Sequence, residues 1–249
     1  MLSIGGRVTL INSVISAIPL YWLGIYRMPK LVRMRIDKLR KRFLWQGGSS
    51  VKKKYALVSW KVVCKSKDQG GLGLLDPDLM NIALRAKWWI RFNDPNVQGI
   101  WKSILIDKYS VTGTCGKCSS FWHDILKEKD LVNIGIDKIV HNGAHTSFRN
   151  DRWISSSALS AVYPHLYNIA VDPTISVADV FADNLLNLRF YRQLVDIYLD
   201  EWSMLLNQVS SFQLSSDLHD QIKWRWSSSG LFSVKSFYSW LDFGGVPTT

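Results

Sequence analysis

The chain has 249 residues, 31 of them Lys or Arg and 20 Asp or Glu, for a formal net charge of +11; 47% are hydrophobic and 12% aromatic. That composition excludes a disordered tail, and the length allows one large domain or two small ones, since about 250 residues approach the limit of a single core. Three Cys cannot form a closed disulfide framework, so an intracellular setting, cytoplasmic or nuclear rather than secreted, is expected.

The first helix is expected to reach about Ile18. Val8, Ile11, Ile15 and Ile18 share one face at helical spacing, with Asn12 and Ser16 off it, and Pro19 should kink or end the element. Val8 to Tyr26 carries no charge, but Thr9, Asn12, Ser13, Ser16, Pro19 and Gly24 interrupt it. Its length barely reaches the roughly 20 apolar residues of a bilayer span. A partly buried amphipathic helix fits better than a signal or a span, and no membrane partner is expected. Pro29 suits the first position of a second helix, which runs to about Trp45 with Gly47 as a left-handed cap. Val32, Ile36, Leu39 and Phe43 form its apolar stripe, while Arg33, Arg40 and Lys41 face elsewhere.

Gly47 to Ser50 reads as a loop, Tyr55 to Val63 as a strand or short helix, and Gln69 to Gly73 as a turn. Asp76 caps, and Pro77 opens, a helix that puts Leu79, Ala83, Ala86 and Ile90 on one face and ends near Asn93-Asp94-Pro95. Val111 to Ser120, rich in Gly, Ser, Thr and Cys, is the best linker and divides the chain into regions 1–110 and 111–249. His141 to Asn150 and Ser155 to Ser160 are polar turns. Phe190 to Val209 reads as a helix with Leu194, Ile197, Leu205 and Leu206 buried. Ile222, Trp224 and Trp226 alternate like a strand, Ser227 to Gly230 turns, and Ser233 caps a last helix carrying Phe237, Trp240 and Leu241. The expected fold class is mainly α (α+β): a basic helical N-terminal part, then mixed helices and short strands.

The charge is localised. Arg27 to Lys67 holds 14 basic residues and one acid, Asp37, a balance of +13 against −2 elsewhere. Such a block attracts polyanions, RNA or DNA before an anionic membrane surface. Candidate contacts to the phosphate backbone are Lys30, Arg33, Arg40, Lys41, Lys52, Lys53 and Lys54, because flexible cations supply affinity without reading bases. Trp45 and Tyr55 could stack on a base, although core packing is the plainer role for both.

Other chemistry finds little support. Cys115 and Cys118 with His123 begin like a zinc knuckle, but Glu128 stands where the fourth ligand should be a thiolate, so two loop thiols and no metal site are expected. Gly70-Gly71-Leu72-Gly73 has neither phosphate-loop spacing. Phe181-Ala182-Asp183-Asn184 falls one residue short of a polymerase metal box, which needs converging carboxylates for two cations. No catalytic residue is assigned.

Several segments, in order, carry a family resemblance. They are Leu2-Ser3-Ile4-Gly5-Gly6-Arg7-Val8-Thr9-Leu10-Ile11-Asn12-Ser13-Val14 with Ile18-Pro19, Arg42-Phe43-Leu44-Trp45-Gln46-Gly47, and Trp60-Lys61-Val62-Val63-Cys64. Gly70-Gly71-Leu72-Gly73 and Asn81-Ile82-Ala83-Leu84-Arg85-Ala86-Lys87-Trp88-Trp89 follow, then Asn142-Gly143, Phe148, Asp151-Arg152-Trp153 and Gly230-Leu231-Phe232-Ser233-Val234-Lys235-Ser236-Phe237-Tyr238. Together they resemble plant LINE-type non-LTR retrotransposon reverse transcriptases, RNA-directed DNA polymerases, in the thumb-like and connecting region after the polymerase core. The resemblance implies that the catalytic carboxylates precede the segment matching Leu2-Ser3, that a zinc-binding region follows Ser236, and that Mg²⁺ serves only the intact polymerase. Arg149 stands where the family often has Trp. The expected role is to hold template–primer without a catalytic centre. Alternatives are a non-functional product of a decayed element, or a basic amphipathic protein of membrane surfaces.

Overall fold

The computed structural model describes residues 2–47, 56, 58–109, 118–182, 186–215 and 218–245. In chain order the elements are α1 (Ile4–Leu10), a π-helical turn (Ile11–Ile15), α2 (Leu20–Leu23), α3 (Lys30–Gln46), α4 (Trp60–Cys64), a 3₁₀ turn (Lys67–Gln69), α5 (Pro77–Asn93), α6 (Ile100–Tyr109) and α7 (Ser120–Asn133). Then come β1 (Ile136–Ile139), α8 (Leu159–Val162), α9 (Pro164–Asn168), α10 (Val177–Val180), α11 (Ile197–Val209), β2 (Gln221–Trp224) and α12 (Val234–Asp242). The class is mainly α with one small sheet, as the sequence predicts. No helix among the described residues is long and apolar enough to cross a membrane.

The chain forms two compact units, both discontinuous in sequence: Met1–Ile90 with Asp107–Val132 and Phe232–Thr249, and Arg91–Ile106 with Asn133–Leu231. The expected boundary at 110/111 lies in a stretch, 110–117, outside the described residues.

In the first unit, the Ser3 hydroxyl caps α1 by accepting from Gly6 N at 3.2 Å. The helix then loosens: Ser16 N donates to Ile11 O, five residues back, at 2.8 Å. This widened turn changes the phase of the helix. Ile11 is therefore in the core as expected, but Ser16 is buried and Ile18 is 73% exposed, reversing their predicted sides. Ile11, Leu44, Val63, Cys64 and Leu74 form one core cluster, with Phe43, Trp45 and Trp60 against it. Cys64 packs there as a small apolar residue, and burial pushes its thiol up to about 11. The glycine turn is needed for close approach: a Cβ on Gly71 would lie 2.0 Å from Lys65 O.

Helix α5 starts as expected. Asp76 Oδ1 accepts from Asp78 N at 2.8 Å, and Ala83, Ala86 and Ile90 are buried. Buried Arg85 on the same helix pairs with Glu128 and, at 3.5 Å, with Asp124 of α7. Helix α12 is capped by Ser233, which accepts from Ser236 N at 3.1 Å. It buries Phe237 and Trp240, and Tyr238 Oη accepts from Asp76 N at 2.9 Å.

The second unit pairs β1 antiparallel with β2, Ile136 opposite Trp224 and Ile139 opposite Gln221. Gly135 permits this: a Cβ there would come within 2.5 Å of the Trp226 ring. Its core gathers Phe148, Leu159, Leu166, Val177, Val180, Leu205 and Val209. The polar stretch after His141 is a clasp rather than a free turn. Asp220 Oδ1 accepts from His141 N and Gly143 N, both at 2.9 Å, while Oδ2 accepts from His145 N at 3.1 Å and Thr146 Oγ1 at 2.8 Å. The helix expected over Phe190–Val209 is shorter. Phe190 forms a β-bridge with Ala170, and α11 begins only at Ile197, after Asp196 at φ +48°. Ile197 and Leu206 are exposed, and of the four residues expected inside only Leu205 is fully buried.

Candidate nucleic-acid interface

Helix α3 carries most of the described basic block, and its cap is the predicted one: Gly47, at φ +64°, donates its N–H to Phe43 O at 3.1 Å. Pro29 stands just before the first turn rather than within it. The buried face is displaced by one residue from the predicted stripe, about 100° around the axis. Val32 and Leu39 are exposed, whereas Arg40 and Leu44 are buried and Asp37 is half-buried.

The cause is a set of polar contacts that outbids the apolar stripe. The Arg40 side chain is 0% exposed; its Nη1 donates to Asp37 Oδ1 at 3.1 Å, its Nη2 to Leu75 O, and its guanidinium lies 5.4 Å from the Trp60 ring centre. Arg33 pairs with Asp78 and, at 3.8 Å, with Asp37. Burial raises the Asp78 carboxyl above its ordinary value, with Arg33 pulling the other way. Arg7 is buried as well, donating to Leu44 O at 3.0 Å, where the carbonyl end of α3 favours a cation.

Of the seven candidate contacts, Arg40 is thus corrected to a structural cation, and Arg33 is held in ion pairs. Lys30 and Lys41 are exposed, with Lys41 Nζ 5.4 Å from the Trp60 ring centre. Lys52, Lys53 and Lys54 lie outside the described residues. The structure instead places Leu31, Arg35, Lys38 and Arg42 along one exposed stripe opposite the buried face. Sequence reasoning passed over Arg35, Lys38 and Arg42. The signal was Asp37, the single acid in the block: four residues from Arg33 and three from Arg40, it marks the cations turned inward.

An aromatic group also escaped the sequence reading. Tyr21, Trp22 and Tyr26 are all exposed; Trp22 stacks on Tyr26 at 6.0 Å between ring centres and meets Tyr21 edge-on at 5.5 Å. Their backbone is fixed to α5. Asn81 Nδ2 donates to Leu23 O at 2.6 Å and Tyr26 O at 2.9 Å, its Oδ1 accepts from Met28 N, and Trp88 Nε1 donates to Gly24 O at 2.8 Å. Trp45 packs partly buried against the core, and Tyr55 is outside the described residues.

Cys118 is disulfide-bonded, which corrects the free-thiol expectation, and Cys115 lies outside the described residues. Among the described residues no three His, Cys, Asp or Glu side chains are grouped to hold a metal ion. Asp183 and Asn184 of the false box are outside them too, and Asp179 accepts from the Ser176 hydroxyl at 2.6 Å.

The Arabidopsis thaliana protein named "Putative ribonuclease H protein At1g65750" is 31% identical in an alignment of 257 residues, covering 99% of this chain and 40% of that protein. The Arabidopsis thaliana "Uncharacterized mitochondrial protein AtMg00310" is 31% identical over 146 residues, 55% of this chain and 93% of its own length. The chain therefore spans well under half of the longer relative and nearly all of the shorter one. No family model and no solved structure matches the chain.

Proposed function

The chain belongs to the family of the uncharacterized mitochondrial protein AtMg00310, and from that premise we propose that it is a nucleic-acid-holding region of a plant retroelement reverse transcriptase. The resemblance to LINE-type enzymes supports the origin. A ribonuclease H acts on RNA paired with DNA, so the name of the longer relative supports the same class of ligand.

The observation that carries the reading is the outward stripe of α3. Arg35, Lys38 and Arg42 stand exposed and outside every ion pair found among the described residues, flanked by Lys30 and Lys41. Phosphate contacts from such cations hold and orient a strand without selecting its sequence. Tyr21, Trp22 and Tyr26 offer ring faces on which unpaired bases can stack. By sequence, Lys52, Lys53 and Lys54 add to the same positive field. On this reading the catalytic carboxylates and their Mg²⁺ belong to another region of the larger enzyme, and this chain grips the template–primer.

Fluorescence anisotropy with labelled RNA, DNA and hybrid oligonucleotides over a salt series tests the proposal. Affinity should fall steeply and linearly on logarithmic axes, with similar values for unrelated sequences of one length. Binding that ignores salt, or no binding at low salt, would overturn it.

A further inference from the structure

The second unit buries a guanidinium that the proposed function does not use. Arg149 is 5% exposed. It donates one long hydrogen bond, Nη1 to Leu166 O at 3.3 Å, and lies 5.4 Å from the centre of the Phe190 ring. Its Nε has no hydrogen-bond partner. No carboxylate among the described residues lies within ion-pairing distance of it, whereas buried Arg40 and Arg85 and half-buried Arg152 are each ion-paired and buried Arg7 meets the carbonyl end of α3. Removing a charge from water without a counter-charge is costly, so a lasting buried cation points to an anion that compensates it.

A pocket of about 220 Å³ opens beside it, lined by Arg149, Asp172, Asn187 and Arg189 between the aliphatic walls of Val171 and Ile175. It is smaller than the usual cavity for a drug-sized ligand. Arg189, which also lines the pocket, is exposed, so a buried arginine and an exposed one border the same small volume. Asp172 opposes them, but its Oδ1 is already engaged by Thr174 N and Thr174 Oγ1, both at 2.8 Å. Two guanidiniums against one carboxylate leave a net charge of +1, and the fork geometry of Arg suits a tetrahedral oxyanion. We propose that this pocket binds a phosphate group, with Arg149 at its base and Arg189 at its rim. The phosphate could belong to a small molecule or to a nucleic-acid backbone.

Calorimetric titration of the full chain tests this, with inorganic phosphate against chloride at matched ionic strength and, separately, with a short single-stranded oligonucleotide. Phosphate should bind where chloride does not. Arg189→Ala should weaken it about three- to tenfold, and Asp172→Asn, which removes the opposing charge, should tighten it by a similar factor. Both positions are exposed, so the variants fold even if Arg149→Gln does not. If only the oligonucleotide binds and both variants shift its affinity in these directions, the source is a backbone phosphate. Affinities for phosphate and oligonucleotide that neither variant changes, or heats equal to those of chloride for phosphate and oligonucleotide alike, would overturn the proposal. Because Arg35, Lys38 and Arg42 take no part, failure here leaves the salt-dependent binding by α3 untouched.

Discussion

Replacing Arg35, Lys38 and Arg42 together by Ala separates the cations that bind from those that hold the fold. Arg35 and Arg42 are seven residue steps apart, about 10 Å at 1.5 Å per step, and a duplex strand presents a phosphate every 3.4 Å of its axis. Three phosphates therefore lie within reach. Each contact removed should flatten the logarithmic salt dependence by about 0.9 on duplex, roughly 2.7 in all, and by about 0.7 on a single strand, roughly 2.1 in all. The substituted positions are exposed, and Ala is at least as good a helix former as Arg or Lys, so urea midpoints should hold. Arg40→Ala should do the reverse. It strips a buried cation from Asp37 and Leu75 O, a loss of about 3 to 5 kcal/mol. With an m-value of about 2 kcal/mol/M that lowers the urea midpoint by about 1.5 to 2.5 M. Anisotropy titrations at several salt concentrations and urea melts of the same samples read both effects. An unchanged slope in the triple variant, or a flattened slope in Arg40→Ala with its midpoint intact, would show that the faces of α3 are misassigned.

Trp22→Ala should weaken single-stranded oligonucleotides by about 1 to 3 kcal/mol and duplex of the same length far less, since only unpaired bases offer a ring face; equal losses on both would remove the aromatic group from the interface. Asp220→Asn should destabilise by about 1 to 3 kcal/mol in a denaturant melt, because an amide nitrogen would confront donors that now meet a carboxylate oxygen. Burial raises the Asp220 carboxyl, but its hydrogen bonds outweigh this and hold it below its ordinary value. Its stabilising share is therefore present above the unfolded pKa and lost as pH falls through the folded one, and the wild type should lose stability relative to Asp220→Asn in acid. Burial pushes Glu128 up to about 7, against the pull of Arg85 and Arg27. The folded state then holds a proton that the unfolded state releases from about pH 4.5 upward, so this group's share of stability falls as pH rises from about 4.5 to 7. Melts of Glu128→Gln across that window should lack this decline; an identical pH profile would show that the carboxyl titrates normally.

Much of the local structure is legible because its causes are local. The Ser233 cap, the Asp76-Pro77 start, the left-handed Gly47 and the strand at Ile222–Trp224 each rest on residues within a few positions of one another. The faces of α3 are not legible in the same way. Hydrophobic periodicity put Val32 and Leu39 inside, but long-range partners decided otherwise: Leu75 O for Arg40 and Asp78 for Arg33. Tyr26, likewise, takes its place through Asn81, 55 residues away.

By itself the sequence determined the helical class, the capped ends, the family resemblance and the excess of positive charge in one segment, since each depends on composition or short-range stereochemistry. Only the tertiary structure decided which of those charges meet solvent. An arginine on a helix is a surface cation or a buried strut according to whether a carboxylate or carbonyl waits opposite, and Asp37 and Leu75 take Arg40 inward while Arg35, Lys38 and Arg42 stay on the exposed side of the same helix.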